Sequence, residues 1–184
     1  GGVLVRCMRP ELRAALGQPY GLTREQLETL VFGNPVSALA SVGKAAPAEL
    51  WEYVRSTLGV APEKMEAFQD AFWSADNVDE TLVQVIKRLR GRYKTGLLSN
   101  AFLDARSVLT QKYPHLMDSF DVSIFSAEVG LVKPDPAFYH LILGKLGVAP
   151  QEAVFVDDFV ENIVGARQLG LHAIHFVSAE QAVA

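Results

Sequence analysis

A chain of 184 residues and 20.1 kDa, 49% of them hydrophobic, is long enough to bury a substantial core in one domain plus a modest insertion. Its net charge of −4 and pI near 5.6 exclude a general nucleic-acid binder, because no cationic field dominates. A single cysteine, Cys7, excludes an internal disulfide framework, and neither a signal-peptide pattern nor an uninterrupted transmembrane run is seen, so no membrane partner and a cytoplasmic, reducing location are expected.

After Gly1-Gly2-Val3-Leu4-Val5, the apolar spacing predicts amphipathic helices over residues 23–32, 47–58, 62–73 and 78–90, with no convincing strand among them. Thr23 followed by Gln26 reads as a capping box, and Gly59 and Pro62 punctuate the next two helices. Phe32, Trp51, Tyr53, Phe68, Phe72 and Trp73 recur mainly at helical spacing, which points to packing. Phe32-Gly33-Asn34-Pro35 interrupts a helix and is expected to expose a short loop, with Asn34 as a recognition candidate. The Lys87-Arg88-Leu89-Arg90-Gly91-Arg92-Tyr93-Lys94 run is local and suits a helix C-terminus. From about residues 82–93 onward strand and helix patterns alternate, as parallel βαβ units do. No internal repeat, low-complexity segment or long linker interrupts the chain. His115, His140, His172 and His175 show no paired ligand spacing, and His175 falls in an apparently buried strand, so packing and surface roles are expected of all four.

Three segments of the second half carry chemistry. The strand candidate 93–98 ends in Ser99 and Asn100 where a helix pattern begins, a position at which backbone N–H groups, the helix dipole and a hydroxyl favour an anion. The strand-like 121–125 leads to Lys133, the only cation of its loop, followed by Pro134-Asp135-Pro136 suited to a helix's first turn. Val154-Phe155-Val156 reads as a fully buried parallel strand that ends in Asp157-Asp158. Adjacent acids there either hold a hard cation, Mg²⁺ by preference, or form a solvated loop with Asp158 as N-cap of the next helix. Singly, Ser99 also reads as a plain cap and Lys133 as a solvent-facing charge. Together they put donor, cation and paired acids at the carboxyl ends of successive strands, where ligands bind in open α/β sheets.

Leu98-Ser99-Asn100, Lys133-Pro134-Asp135-Pro136 and Asp157-Asp158 with Asn162 resemble the haloacid dehalogenase superfamily of phosphotransferases and hydrolases. Residues 165–170 and 173–176 are similar to the branch related to the amino-terminal phosphatase domain of soluble epoxide hydrolases. The resemblance implies an α/β fold: a Rossmann-like parallel sheet core with an inserted all-helical cap. Residues 1–18 would start the core in truncated form, 19–78 form the cap, with hinges near Pro19-Tyr20-Gly21 and 75–78, and 79–184 form the rest of the core. It further implies a Mg²⁺-dependent phosphatase of small phosphorylated metabolites, such as sugar phosphates, working through an aspartyl-phosphate. Asp158 would bind the metal directly, and Asp157 would orient a metal-bound water or Lys133. Lys133 would offset negative charge, Ser99 and Asn100 would bind the phosphoryl group, and Asn162 would brace the acidic loop.

On this alignment the nucleophilic Asp lies two residues before Gly1, outside the sequence, and Gly1 takes the place of an Asp acid/base, keeping only a backbone carbonyl for the metal. The 184-residue chain is therefore expected to be less than the complete catalytic unit, lacking a central strand as well as its nucleophile. Two alternatives remain: a 2-haloacid dehalogenase-type hydrolase, disfavoured by two acids facing an anionic nucleophile, and a noncatalytic phosphate-binding relative. Self-association into a homodimer is left open.

Overall fold

The computed structural model describes residues 2–183. A short strand, β1 (Val5–Cys7), opens the described chain and leads into α1 (Pro10–Gly17), α2 (Arg24–Phe32), α3 (Pro35–Ser41), α4 (Pro47–Leu58) and α5 (Met65–Ser74). Thr23 starts α2 by the expected box: its hydroxyl accepts from Gln26 N at 3.2 Å, and Gln26 Oε1 accepts from Thr23 N at 2.9 Å. Gly59 ends α4 in the left-handed conformation, φ 67°. The inward faces of these helices make one cluster around Leu27, Val31, Leu50, Val54 and Phe72, all fully buried. Burying side chains of this size contributes about 1.5–3 kcal/mol each.

Two elements depart from the sequence reading. The helix expected over 78–90 is shorter, α6 (Glu80–Leu89), and β2 (Asp76–Val78) precedes it. β2 pairs antiparallel with β1 in the register Val5↔Val78 and Cys7↔Asp76, so the helices α1–α5 leave and return side by side. Three-residue strands are too short for alternation to reveal, and their stability comes from the pairing itself.

A buried ion network stands beside this ribbon. The Arg13 guanidinium donates to both Asp76 carboxylate oxygens at 2.7 Å, to Glu28 at 2.9 Å and to Phe72 O at 3.3 Å, and it lies 4.2 Å from the Phe72 ring centroid. One side chain thus ties α1 to α2, α5 and β2.

The second half alternates as expected: β3 (Gly96–Ser99), α7 (Ala105–Lys112), α8 (Pro114–Met117), β4 (Val122–Phe125), α9 (Ser126–Val129), α10 (Pro136–Leu146), β5 (Val154–Asp157), α11 (Val160–Gln168), β6 (His172–His175) and α12 (Ala179–Val183). β3 pairs parallel with β4, and β5 with β6, while among the described residues no ladder joins β3 to β5. Both ladders pack on α10, because Leu98, Ile124 and Phe155 share a cluster with Phe138, Tyr139, Ile142 and Leu143. The α/β class with a helical part holds, but β5 is not the fully buried strand its sequence suggests. Val154 is 63% exposed, and in β6 both His172 and His175 are exposed, because each strand has one ladder partner. Asp121, just before β4, accepts from Thr95 N at 2.8 Å and Arg90 Nε at 2.9 Å and pins the start of β3.

Among the described residues the helical part meets the α/β part at Phe32 and at Gly43. Phe32 at the end of α2 stacks on Phe102 after β3, centroids 6.4 Å apart and planes at 20°. Gly43, φ 72°, passes so close to α9 that a Cβ there would lie 2.2 Å from Ala127 O.

Candidate functional site

The registers Ser99↔Phe125 and Asp157↔His175 end both parallel ladders at their carboxyl edge, and a side-chain contact draws the two edges together. Lys133, in the loop between α9 and α10, donates from Nζ to Asp157 Oδ2 at 2.7 Å, with 10% of its side chain exposed against 4% for the aspartate. The other Asp157 oxygen, Oδ1, accepts from Phe159 N at 2.9 Å and Asn162 Nδ2 at 2.7 Å. A carboxylate so buried is costly unless its lone pairs are satisfied, and here cation, peptide and amide satisfy them. Asn162 is set by the first turn of α11, and its carbonyl accepts from the fully buried Tyr139 hydroxyl at 2.9 Å. Burial first, and then the Asp157 charge, pushes the Tyr139 hydroxyl well above the usual tyrosine range, so it stays a donor.

Asp158 stands differently. Its side chain is partly buried, and burial pushes its carboxyl above the ordinary range. Its own backbone N–H and Lys133 act in the opposite sense, and the Asp157 charge adds to the rise. Gly2, φ 130°, lies against it so closely that a Cβ would be 1.9 Å from Asp158 Oδ2. Asp158 does not cap α11: the cap position is Phe159, and the carboxylate turned to its N–H belongs to Asp157. Among the described residues Asp158 is thus the less compensated acid of the pair.

These donors fit Mg²⁺ in the mode that uses one or two carboxylates and keeps several waters. Among the described residues no group of three or more His, Cys, Asp or Glu stands together as a larger cage. With both Asp157 oxygens engaged, Asp158 is the acid of the pair that could hold a cation directly. Gly1, named for its backbone carbonyl, lies outside the described residues.

Ser99 is partly buried, and its hydroxyl makes no hydrogen bond among the described residues. Asn100 is committed to the Lys133 loop: its Nδ2 donates to Lys133 O at 3.1 Å, and its Oδ1 accepts from Lys133 N at 2.8 Å. One amide hydrogen remains for an anion. Ser126, which sequence reading passed over, accepts from Ala101 N at 2.9 Å and donates to Ala101 O at 3.1 Å, fixing the loop after Asn100.

Asn34 is not presented as expected. It is 7% exposed and caps α3, with Oδ1 accepting from Ser37 N at 2.9 Å and Nδ2 donating to Leu30 O at 2.8 Å and Val31 O at 3.1 Å. An Asn before Pro is well suited to this N-cap role, and its neighbour Phe32 is the side chain that reaches the α/β part.

A family model described as haloacid dehalogenase-like hydrolase matches residues 56–170. Bifunctional epoxide hydrolase 2 of Rattus norvegicus is 34% identical over 113 residues, covering 59% of this chain and 20% of that protein. The chain thus spans about a fifth of that relative's length. Phosphoserine phosphatase of Thermus thermophilus is 31% identical over 162 residues, covering 73% and 65% of the two chains. The crystal structure of a HAD family enzyme from Bacteroides thetaiotaomicron, in complex with magnesium and inorganic phosphate, superposes with a TM-score of 0.76 at 21% identity. It covers 97% of this chain and 91% of that one, and at this identity it shows the shared fold.

Proposed function

The chain belongs to the haloacid dehalogenase-like hydrolase family, and we propose that it serves as a Mg²⁺-dependent phosphatase of small phosphorylated metabolites, working through an aspartyl-phosphate. The observation that carries this reading is the Lys133–Asp157 contact at 2.7 Å, which joins the strand ends near Asp158 and a Ser99 hydroxyl that has no hydrogen-bond partner among the described residues. A phosphatase relative and a structural neighbour crystallised with magnesium and phosphate support it.

Asp158 would hold Mg²⁺, and the cation when bound supplies neutralisation of charge on the phosphoryl oxygens. The chain's own residues orient the group. Ser99 Oγ and the remaining Asn100 amide hydrogen donate to phosphoryl oxygens, and the Lys133 ammonium offsets negative charge that grows during transfer. Asp157, held by Asn162 and Phe159 N, keeps Lys133 in place without meeting the substrate. The attacking carboxylate is the one that the family resemblance puts two residues ahead of Gly1. With no side chain at Gly1, the leaving group departs without a proton donor from that position, which favours esters of acidic alcohols. The helices within residues 19–78 act as a cap over this edge, with the Phe32–Phe102 stack as one point of closure.

Turnover of p-nitrophenyl phosphate by the full-length gene product tests the reading. Phosphate release should require Mg²⁺ and fall at least a hundredfold in Asp158→Asn. Turnover that survives chelation, or release of halide from 2-haloacids without metal, would overturn it.

A further inference from the structure

The turn that carries Asp158 is fastened by the last residue of β6 and the residue that follows it. Phe176 N donates to Asp157 O at 2.8 Å, and His175 Nε2 approaches Asp158 O at 3.1 Å. A carbonyl oxygen only accepts, so the ring nitrogen facing it carries a hydrogen, and the contact fixes the role of Nε2 as donor. From the other side, the Asp157 carboxylate accepts from Phe159 N at 2.9 Å. The peptide before the Asp158 side chain is thus tied to Phe176 and the one after it to Asp157 and His175, and the His175 bond is the tie made by Asp158's own carbonyl. His175 is exposed, and among the described residues its ring bonds only to Asp158 O, so packing does not account for its direction.

We infer that His175 is a positioning residue for the cation site, aiming Asp158 by donating to its backbone carbonyl, a role that rests on the metal-dependent reading of the site above. A carboxylate that must meet a small octahedral cation loses affinity when its backbone is free to wander, and partners of this kind are typically worth 10–100-fold in metal affinity. The exposed setting of His175 places its contribution near the low end, about tenfold.

The test is calorimetric titration of the full-length gene product with Mn²⁺, alongside circular dichroism melting, for wild type, His175→Ala and His175→Gln. The Gln amide can donate to the same carbonyl, whereas Ala cannot. About tenfold weaker Mn²⁺ binding in H175A, recovery to within about threefold in H175Q, and nearly unchanged melting in both are expected. Wild-type affinity in H175A, or equal loss in H175A and H175Q, overturns the role of His175 while leaving the metal site standing. No Mn²⁺ binding by the wild type overturns both the metal reading and the role built on it.

Discussion

Replacing Lys133 by Met removes the cation from Asp157 while keeping most of the aliphatic stem. The carboxylate left behind is 3% exposed and retains two donors, Phe159 N and Asn162 Nδ2. Breaking one side of a buried ion pair costs about 3–5 kcal/mol, and two surviving charge-assisted bonds place this case at the low end, about 3 kcal/mol. For a chain of this size each kcal/mol lowers the melting temperature by about 2–4 °C, so Lys133→Met should melt about 6–12 °C lower. Asp157→Asn removes the orphaned charge, and in the double variant it should restore most of the loss. A thermodynamic cycle over wild type, both single variants and the double, measured by denaturant unfolding at neutral pH, should give a coupling above about 2 kcal/mol. A single-variant loss under about 1 kcal/mol would refute the view that this pair is a desolvated linchpin of the site.

Arg13→Met leaves Asp76 and Glu28 without their shared partner and should cost about 3–5 kcal/mol by differential scanning calorimetry; a loss under about 1 kcal/mol would mean the network is solvated. Asp121 is held below the usual carboxylate range, first by Thr95 N–H and then by Arg90, so its contribution is present above the unfolded-state pKa and lost as pH falls through the folded one. Asp121→Asn should therefore flatten the acid limb of the stability curve, and an unchanged limb in urea unfolding at several pH values would contradict this. Asn34→Ala should lower stability by about 1–2 kcal/mol through loss of the α3 cap and leave preference among phosphomonoesters unchanged; a changed substrate ranking would return Asn34 to a recognition role.

Sequence pattern carries far where one residue type dictates one local geometry. Thr23 with Gln26 marks the start of α2, Gly59 the end of α4, and the apolar runs before Ser99 and Asp157 mark β3 and β5. The family motifs in the second half lead to the right fold class and to the group of side chains that Lys133 and Asp157 join. Patterning fails where the deciding partner is remote. Nothing near 76–78 announces a strand, because β2 exists by pairing with residues 5–7. Asn34 looks like an exposed loop residue until its amide is seen to be spent on Leu30, Val31 and Ser37. Asn100 reads as an anion binder, yet most of its bonding capacity goes to the Lys133 backbone 33 residues away. His175 reads as buried, yet it is exposed and turned to Asp158 O across a ladder no local pattern encodes.

If Asp158, Ser99 and Lys133 together form a cation-dependent phosphoryl site, calorimetric titration with inorganic phosphate will show it. Binding should appear with Mg²⁺, vanish when the metal is chelated, and be lost in Asp158→Asn although that variant melts like the wild type. Phosphate binding of equal strength without Mg²⁺, or undiminished in Asp158→Asn, would contradict the claim.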